Sequence, residues 1–197
     1  VRTGEAAVAN MFADAVREAT GAQVALLAAG YIGGDVQPGP ITRRQLLEIA
    51  RVETGIVTKR MTGRQLLQYL ERTVRDLPAE SGNFHHISGG TFKIDIDAVP
   101  KVHSVTVGGQ PVEHDTVYTV AIPTGGAEFP GAIDAETVGD HGSATTMLEN
   151  YLLAHGEVSP AVEGRIVRAA TPASGGGQPG GEQPGGEQPG GEQPSGD

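Results

Sequence analysis

Cysteine and tryptophan are both absent, and aromatic side chains make up only 4% of the 197 residues. Without thiols the chain forms neither disulfides nor thiolate metal sites. With so few rings, a core must be built mainly from Val, Leu, Ile and Ala, and a hydrophobic share of 38% supplies enough of them for one domain-sized core. Basic residues are scarce as well: 14 Lys and Arg stand against 24 Asp and Glu, a net charge of −10. That balance argues against nonspecific affinity for nucleic acid or for an anionic membrane. No apolar run approaches the roughly 20 residues that a membrane-spanning helix needs, and the first residues do not read as a signal peptide.

Glycine and proline, by contrast, are plentiful, at 30 and 13 residues. Many of them lie at the C-terminus, where Gly-Gly-Glu-Gln-Pro repeats at 180–184, 185–189 and 190–194. Ordering such a stretch costs about 1–2 kcal/mol per residue with no apolar side chain to bury in return. Residues 172–197 therefore read as a disordered tail of linker type, and 1–171 as the globular domain.

The globular part mixes helix and strand signals. Glu5–Thr20 places Val8, Phe12, Ala15 and Ala19 on one helical stripe, and Gly21 is the expected stop. Val24–Leu27 is a short apolar strand. Thr42-Arg43-Arg44-Gln45 and Thr62-Gly63-Arg64-Gln65 both fit a capping box, a Thr followed three residues later by Gln. The first opens a short helix with Leu46, Leu47 and Ile49 inward. The second opens a longer one to about Asp76, with Leu66, Leu67, Leu70 and Val74 inward. Gly55–Met61, Thr91–Asp97, Val102–Val107 and Thr116–Ile122 read as strands, and Gly108-Gly109 is a hairpin signal. Pro123–Gly142 has little periodicity and reads as a long irregular loop. Ser143 caps a last helix through His155, and Gly164–Ala169 is a closing strand.

The chain reads as organised around its first strand, because that strand runs straight into glycines at 30, 33 and 34, where backbone N–H groups can meet a ligand. Ala28-Ala29-Gly30-Tyr31-Ile32-Gly33 is one glycine short of the dinucleotide fingerprint. That motif needs a helix to begin at the glycines, and Asp35-Val36-Gln37-Pro38-Gly39-Pro40 keeps the following segment extended instead. The dinucleotide reading is rejected.

The flanks point elsewhere. In order come Glu5…Asn10-Met11-Phe12-Ala13-Asp14-Ala15, the glycine turn, Gly39-Pro40-Ile41-Thr42, and Met61-Thr62-Gly63-Arg64-Gln65-Leu66-Leu67. Phe84…Ser88-Gly89-Gly90, Tyr118-Thr119-Val120-Ala121 and Pro160-Ala161-Val162-Glu163-Gly164-Arg165-Ile166 follow. This series resembles the C-terminal domain of the 5′-nucleotidase and UDP-sugar hydrolase family. The resemblance implies an α+β fold, a layered α/β/β/α domain, and an extracytoplasmic or secreted hydrolase of nucleotide catabolism. It also implies that two divalent metal ions and the hydrolytic step belong to a separate metallophosphatase domain, upstream or in trans. No cofactor and no catalytic residue is then expected in this chain.

The residues themselves offer no competing chemistry. A two-metal site needs several Asp, His and Asn ligands around ions about 3.5–4 Å apart, and no such set is readable. Asp140-His141 reads as part of a solvated loop. His85 and His86, adjacent on a strand, point to opposite faces, and these two with His103, His114 and His155 read as surface or half-buried residues. Ser88 and Ser143 lack the G-x-S-x-G elbow of a serine nucleophile.

Carried over one position at a time, the resemblance assigns substrate contacts to Arg2, to Gly30, Tyr31 and Gly33 of the turn, and to Gly125, Gly126 and Glu128. It also exposes losses. The family's turn Asn falls on Ala28, its phosphate-binding Arg on Gly33, one ring of its base clamp on Val52, and its ribose-binding Asp on Ala127, with Glu128 as the one substitute at hand. The loop carrying the second ring is shortened to Ile122-Pro123-Thr124. Stacking is worth about 1–3 kcal/mol per base and a hydrogen bond to a charged group about 1.5–3 kcal/mol, so these losses together erase micromolar affinity. The expectation is a substrate-binding domain with a degenerate nucleotide site. The alternative is a noncatalytic binding or spacer module at the cell surface.

Overall fold

In a strand, alternate side chains face opposite ways, so a strand apolar throughout must be covered on both faces. Val24–Ala28 is buried at all five positions. The computed structural model, which describes residues 1–34 and 36–169, supplies both covers. Asp35 and the repeat tail, 172–197, lie outside the described residues, as does the domain boundary at 171.

The elements run α1 (Ala7–Thr20), β1 (Val24–Ala28), α2 (Arg43–Ile49), β2 (Gly55–Thr62), α3 (Gly63–Thr73), β3 (His85–Ser88), β4 (Gly90–Ile94) and β5 (Val102–Val107). Then come β6 (Gln110–Pro111), β7 (Val117–Pro123), β8 (Glu136–Ser143), α4 (Ala144–His155) and β9 (Ile166–Arg168). Five strands form one sheet in the order β3-β1-β7-β2-β8, and four form a second, β6-β5-β4-β9. The fold is α+β, with mixed sheets. Ala25, Leu27, Ile56 and Ala121 pack beneath Phe12, Ile49 and Leu148 of α1, α2 and α4. On the other face, Val24, Leu26, Val120 and Ile122 meet Leu66 and Tyr69 of α3 and Phe92 and Ile94 of the small sheet.

Local signals set the element ends. Thr42 and Thr62 each accept the N–H of the Gln three residues on, and both boxes are closed by the Gln side chain. The Ser143 hydroxyl accepts from Thr146 N–H at 3.1 Å, and Gly21 ends α1 with φ 66°. The first and last parts of the chain are joined by Glu5, which accepts from Asn10 Nδ2 at 2.6 Å and Glu163 N–H at 2.8 Å.

Three expectations need correction. The stretch read as a loop from Pro123 to Gly142 contains β8, which pairs with β2 in antiparallel fashion. It is an edge strand, mostly exposed on both faces, and its register shifts twice, so no apolar alternation marks it. Leu47, read as inward, is 52% exposed, because a seven-residue helix presents only Leu46 and Ile49 to the core. Ala19 of the α1 stripe is also exposed, one turn beyond the part of the helix that is covered.

Candidate functional site

Two neighbouring strands that run in the same direction end at the same sheet edge, and the crevice beyond their carboxyl ends gathers loops. β1 and β7 are such a pair, with Val24 opposite Val120. β1 passes into a 3₁₀ turn at Ala29–Tyr31 and β7 into another at Thr124–Gly126. Antiparallel β3 starts at that edge and brings Gly82 and Asn83 to it. Between them lies a pocket of about 330 Å³.

The turn glycines are needed for close approach. Gly30 N–H donates to the Gly82 carbonyl at 2.8 Å, and a Cβ at position 30 would sit 3.2 Å from that oxygen. Gly33 N–H donates to the Ile49 carbonyl at 2.7 Å, and a Cβ there would run into the Glu48 backbone carbonyl. The N–H groups of Ala29, Gly30, Ile32 and Gly33 all bond within the protein. They are therefore not the ligand-facing donors that the sequence of the turn suggests.

His85 forms the inner wall. Its Nδ1–H donates to the Asn83 carbonyl at 2.7 Å, which leaves Nε2 to accept from the Tyr69 hydroxyl at 3.1 Å. Burial pushes the His85 pKa down to about 4, so the ring is neutral near pH 7. Burial likewise pushes Tyr69 up. The Tyr69 hydroxyl occupies the space that a Cβ of Gly126 would need. Phe129 closes the pocket, its ring 5.8 Å from Tyr69 and 6.2 Å from His85.

Of the residues singled out for substrate contact, Gly30, Tyr31, Gly125 and Gly126 line this one pocket. Arg2 stands behind it, with Nη1 3.7 Å from the place of a Gly82 Cβ. Gly33 packs on α2, away from the pocket, and Glu128 faces a second depression. Among the positions of loss, Ala28 lines the pocket, Ala127 packs against the core, and Val52 is exposed outside the lining. Phe129, Asn83 and His85 escape sequence reasoning. The available signal for Phe129 is its position three residues after Gly126 in a chain of only four Phe.

The histidines also need correcting: His85 and His86 are buried, at 1% and 0% exposure. They do face opposite ways, His85 toward Tyr69 and His86 toward the Val1 carbonyl, to which Nε2 donates at 2.8 Å. His141 is held by Thr58 Oγ1 at 2.9 Å, and Ser143 is occupied in capping α4. Among the described residues no three His, Asp or Glu side chains stand together as a ligand set. The two metal ions that the resemblance implies for a separate domain find no ligand set among these residues.

The family model described as "5′-nucleotidase, C-terminal domain" matches residues 1–128. The chain belongs to this family. The nucleotidase C-terminal domain is similar to the trifunctional nucleotide phosphoesterase protein YfkN of Bacillus subtilis, 27% identical over 192 residues, covering 87% of this chain and 13% of that protein. It is also similar to a 5′-nucleotidase of Vibrio cholerae, 25% identical over 174 residues, covering 80% of this chain and 31% of that protein. The chain therefore spans under a third of either relative. A 5′-nucleotidase precursor from Thermus thermophilus shares the fold, with a TM-score of 0.79 at 24% identity, over 87% of this chain and 37% of that one.

Proposed function

We propose that this nucleotidase C-terminal domain is the substrate-binding part of a 5′-nucleotidase-type hydrolase of nucleotide catabolism, with a degenerate nucleotide site. The observation that supports it is the lining of the β1/β7 pocket. Two aromatic rings, Tyr31 and Phe129, and the neutral His85 surround it, and none of its lining residues is Asp, Glu, Lys or Arg. Such a wall suits the rings of a nucleoside and offers no counter-charge to a phosphate. Phosphate-ester hydrolysis with two divalent metals is the work of a metallophosphatase part outside residues 1–169 or on another chain. Arg2, Gly30, Tyr31, Gly125 and Gly126 are the contacts assigned to this domain.

Calorimetry with adenosine and AMP tests this. Millimolar dissociation constants are expected for both, with AMP no tighter than adenosine. Micromolar affinity for AMP, or phosphate release by the purified chain alone, overturns it. A second reading, a noncatalytic binding or spacer module at the cell surface, draws on Gly33. The α2 backbone leaves no room there for the arginine that the family carries. Absence of any adenosine binding up to about 10 mM favours that reading over the first.

A further inference from the structure

Behind Phe129 lies a second cavity, of about 810 Å³, between α3, the entry to β5 and the segment 128–134. Its walls are largely apolar, formed by Leu67, Pro100, Val102, Pro130 and Ile133. Ile133 is 59% exposed, although it stands in an apolar setting. Most of the charges that line the cavity are already engaged. Glu71 accepts the N–H groups of Lys101 and Val102, each at 2.9 Å. Lys101 Nζ donates to the Arg75 and Leu77 carbonyls, each at 2.9 Å, and Arg75 pairs with Asp76 at 3.3 Å. Glu128 and Asp134 are exposed.

Arg72 is different. Its guanidinium carbon lies 4.7 Å from the centroid of the Phe129 ring, and its Nη1 is buried with no hydrogen-bond partner among the described residues. Nη1 is turned into the protein, out of reach of the cavity, whereas Nε and Nη2 are not sealed off and make no hydrogen bond or ion pair among the described residues. A carboxylate is the acceptor that matches this planar edge. The apolar walls can cover the rest of such a molecule.

We propose that this cavity is a second small-molecule site, which takes an organic carboxylate with an apolar body through Arg72 stacked on Phe129. The proposal is independent of the nucleoside reading, because Phe129 and Arg72 separate this cavity from the pocket at β1 and β7.

The test uses the full chain and 4-phenylbutyrate as probe, with its uncharged amide and the corresponding amine as controls, followed by amide NMR shifts and calorimetry. The acid is expected to shift residues 67–75 and 128–134 and to bind at least about tenfold more tightly than the amide. Arg72→Met is expected to abolish that difference. Equal binding of acid and amide overturns the proposal, as do tighter binding of the amine, shifts centred on Gly30 and Tyr31, or no binding of the acid up to about 10 mM. The comparison of acid with amide needs no variant, so it stands even where Arg72→Met fails to fold.

Discussion

Asp14 and Arg165, 151 positions apart, meet through two parallel hydrogen bonds, Nη1 to Oδ1 at 2.7 Å and Nη2 to Oδ2 at 2.9 Å. Ser88 Oγ adds a donor to Asp14 Oδ1 at 2.6 Å, and Arg17 Nε donates to Ser88 Oγ at 2.8 Å. Burial opposes the Arg165 charge, but the hydrogen bonds to Asp14 and Glu163 hold its pKa above the ordinary value. Two segments that carry the sequence resemblance, around Asn10 to Ala15 and Pro160 to Ile166, are thus the two sides of a clasp that binds the first helix to the start of the last strand. Their role here is closure of the fold.

Opening the clasp should cost stability. The Arg165 and Asp14 side chains are only 13% and 28% exposed, so Arg165→Met is expected to lower the unfolding free energy by about 2–3 kcal/mol, discounted from a fully buried pair for this residual exposure. Arg165→Lys should recover less than half of that, because an ammonium cannot bind both oxygens in a plane. Urea midpoints at constant slope measure the effect. A shift equivalent to less than about 0.5 kcal/mol would show the clasp to be ornamental.

Two glycines of the turns should respond differently to alanine. At Gly33 the added Cβ meets the backbone carbonyl of Glu48, which cannot move without displacing α2, so a loss of at least about 2–3 kcal/mol is expected. At Gly125 it meets the Tyr31 hydroxyl at 2.9 Å, the far end of a side chain that can turn aside. Gly125→Ala should keep most of its stability, within about 1 kcal/mol, and change the pocket. Thermal unfolding of the two variants side by side decides this, and equal losses would contradict the packing described.

Acid should destabilise the protein well above the carboxylate range. Burial depresses both His85 and His86 from 6.5 to about 4. The unfolded chain therefore takes up these protons first as pH falls, and stability that is complete above pH 6.5 declines toward pH 4. Each histidine contributes on the order of 3 kcal/mol across that window at most. Denaturant titrations at pH 5 and 7.5 are expected to differ, and His85→Gln with His86→Gln should flatten the difference. Identical stability at the two pH values would refute the assignment.

The reduced pocket should be partly repairable. Ala28 already lines it, so Ala28→Asn places a donor and an acceptor against a bound nucleoside and should tighten adenosine binding by about three- to tenfold. Gly33→Arg should instead impair folding, for the reason given above. Calorimetry on folded Ala28→Asn checks the first outcome, and an unchanged or weaker affinity would remove Ala28 from the ligand's reach.

Helix starts were legible because a cap is a local event: Thr42 with Gln45, Thr62 with Gln65, and Ser143 each act within one turn. Strands with a buried face were legible too, as at Phe92 and Ile94, since water on one side imposes alternation. β8 escaped because an edge strand exposed on both faces carries no such pattern. Burial of His85 and His86 escaped because their partners, Tyr69 and the Val1 carbonyl, are distant in sequence.

By itself, then, the amino-acid order determined the material of the core, the element boundaries set by caps and glycines, and the family. Only the tertiary structure decided that the two glycine turns share one pocket, that Gly33 is a packing position, and that Phe129 stands between two cavities. The physical reason is range. Caps and alternation act between residues a few positions apart, whereas a pocket exists only once parallel β1 and β7 bring their ends to the same edge.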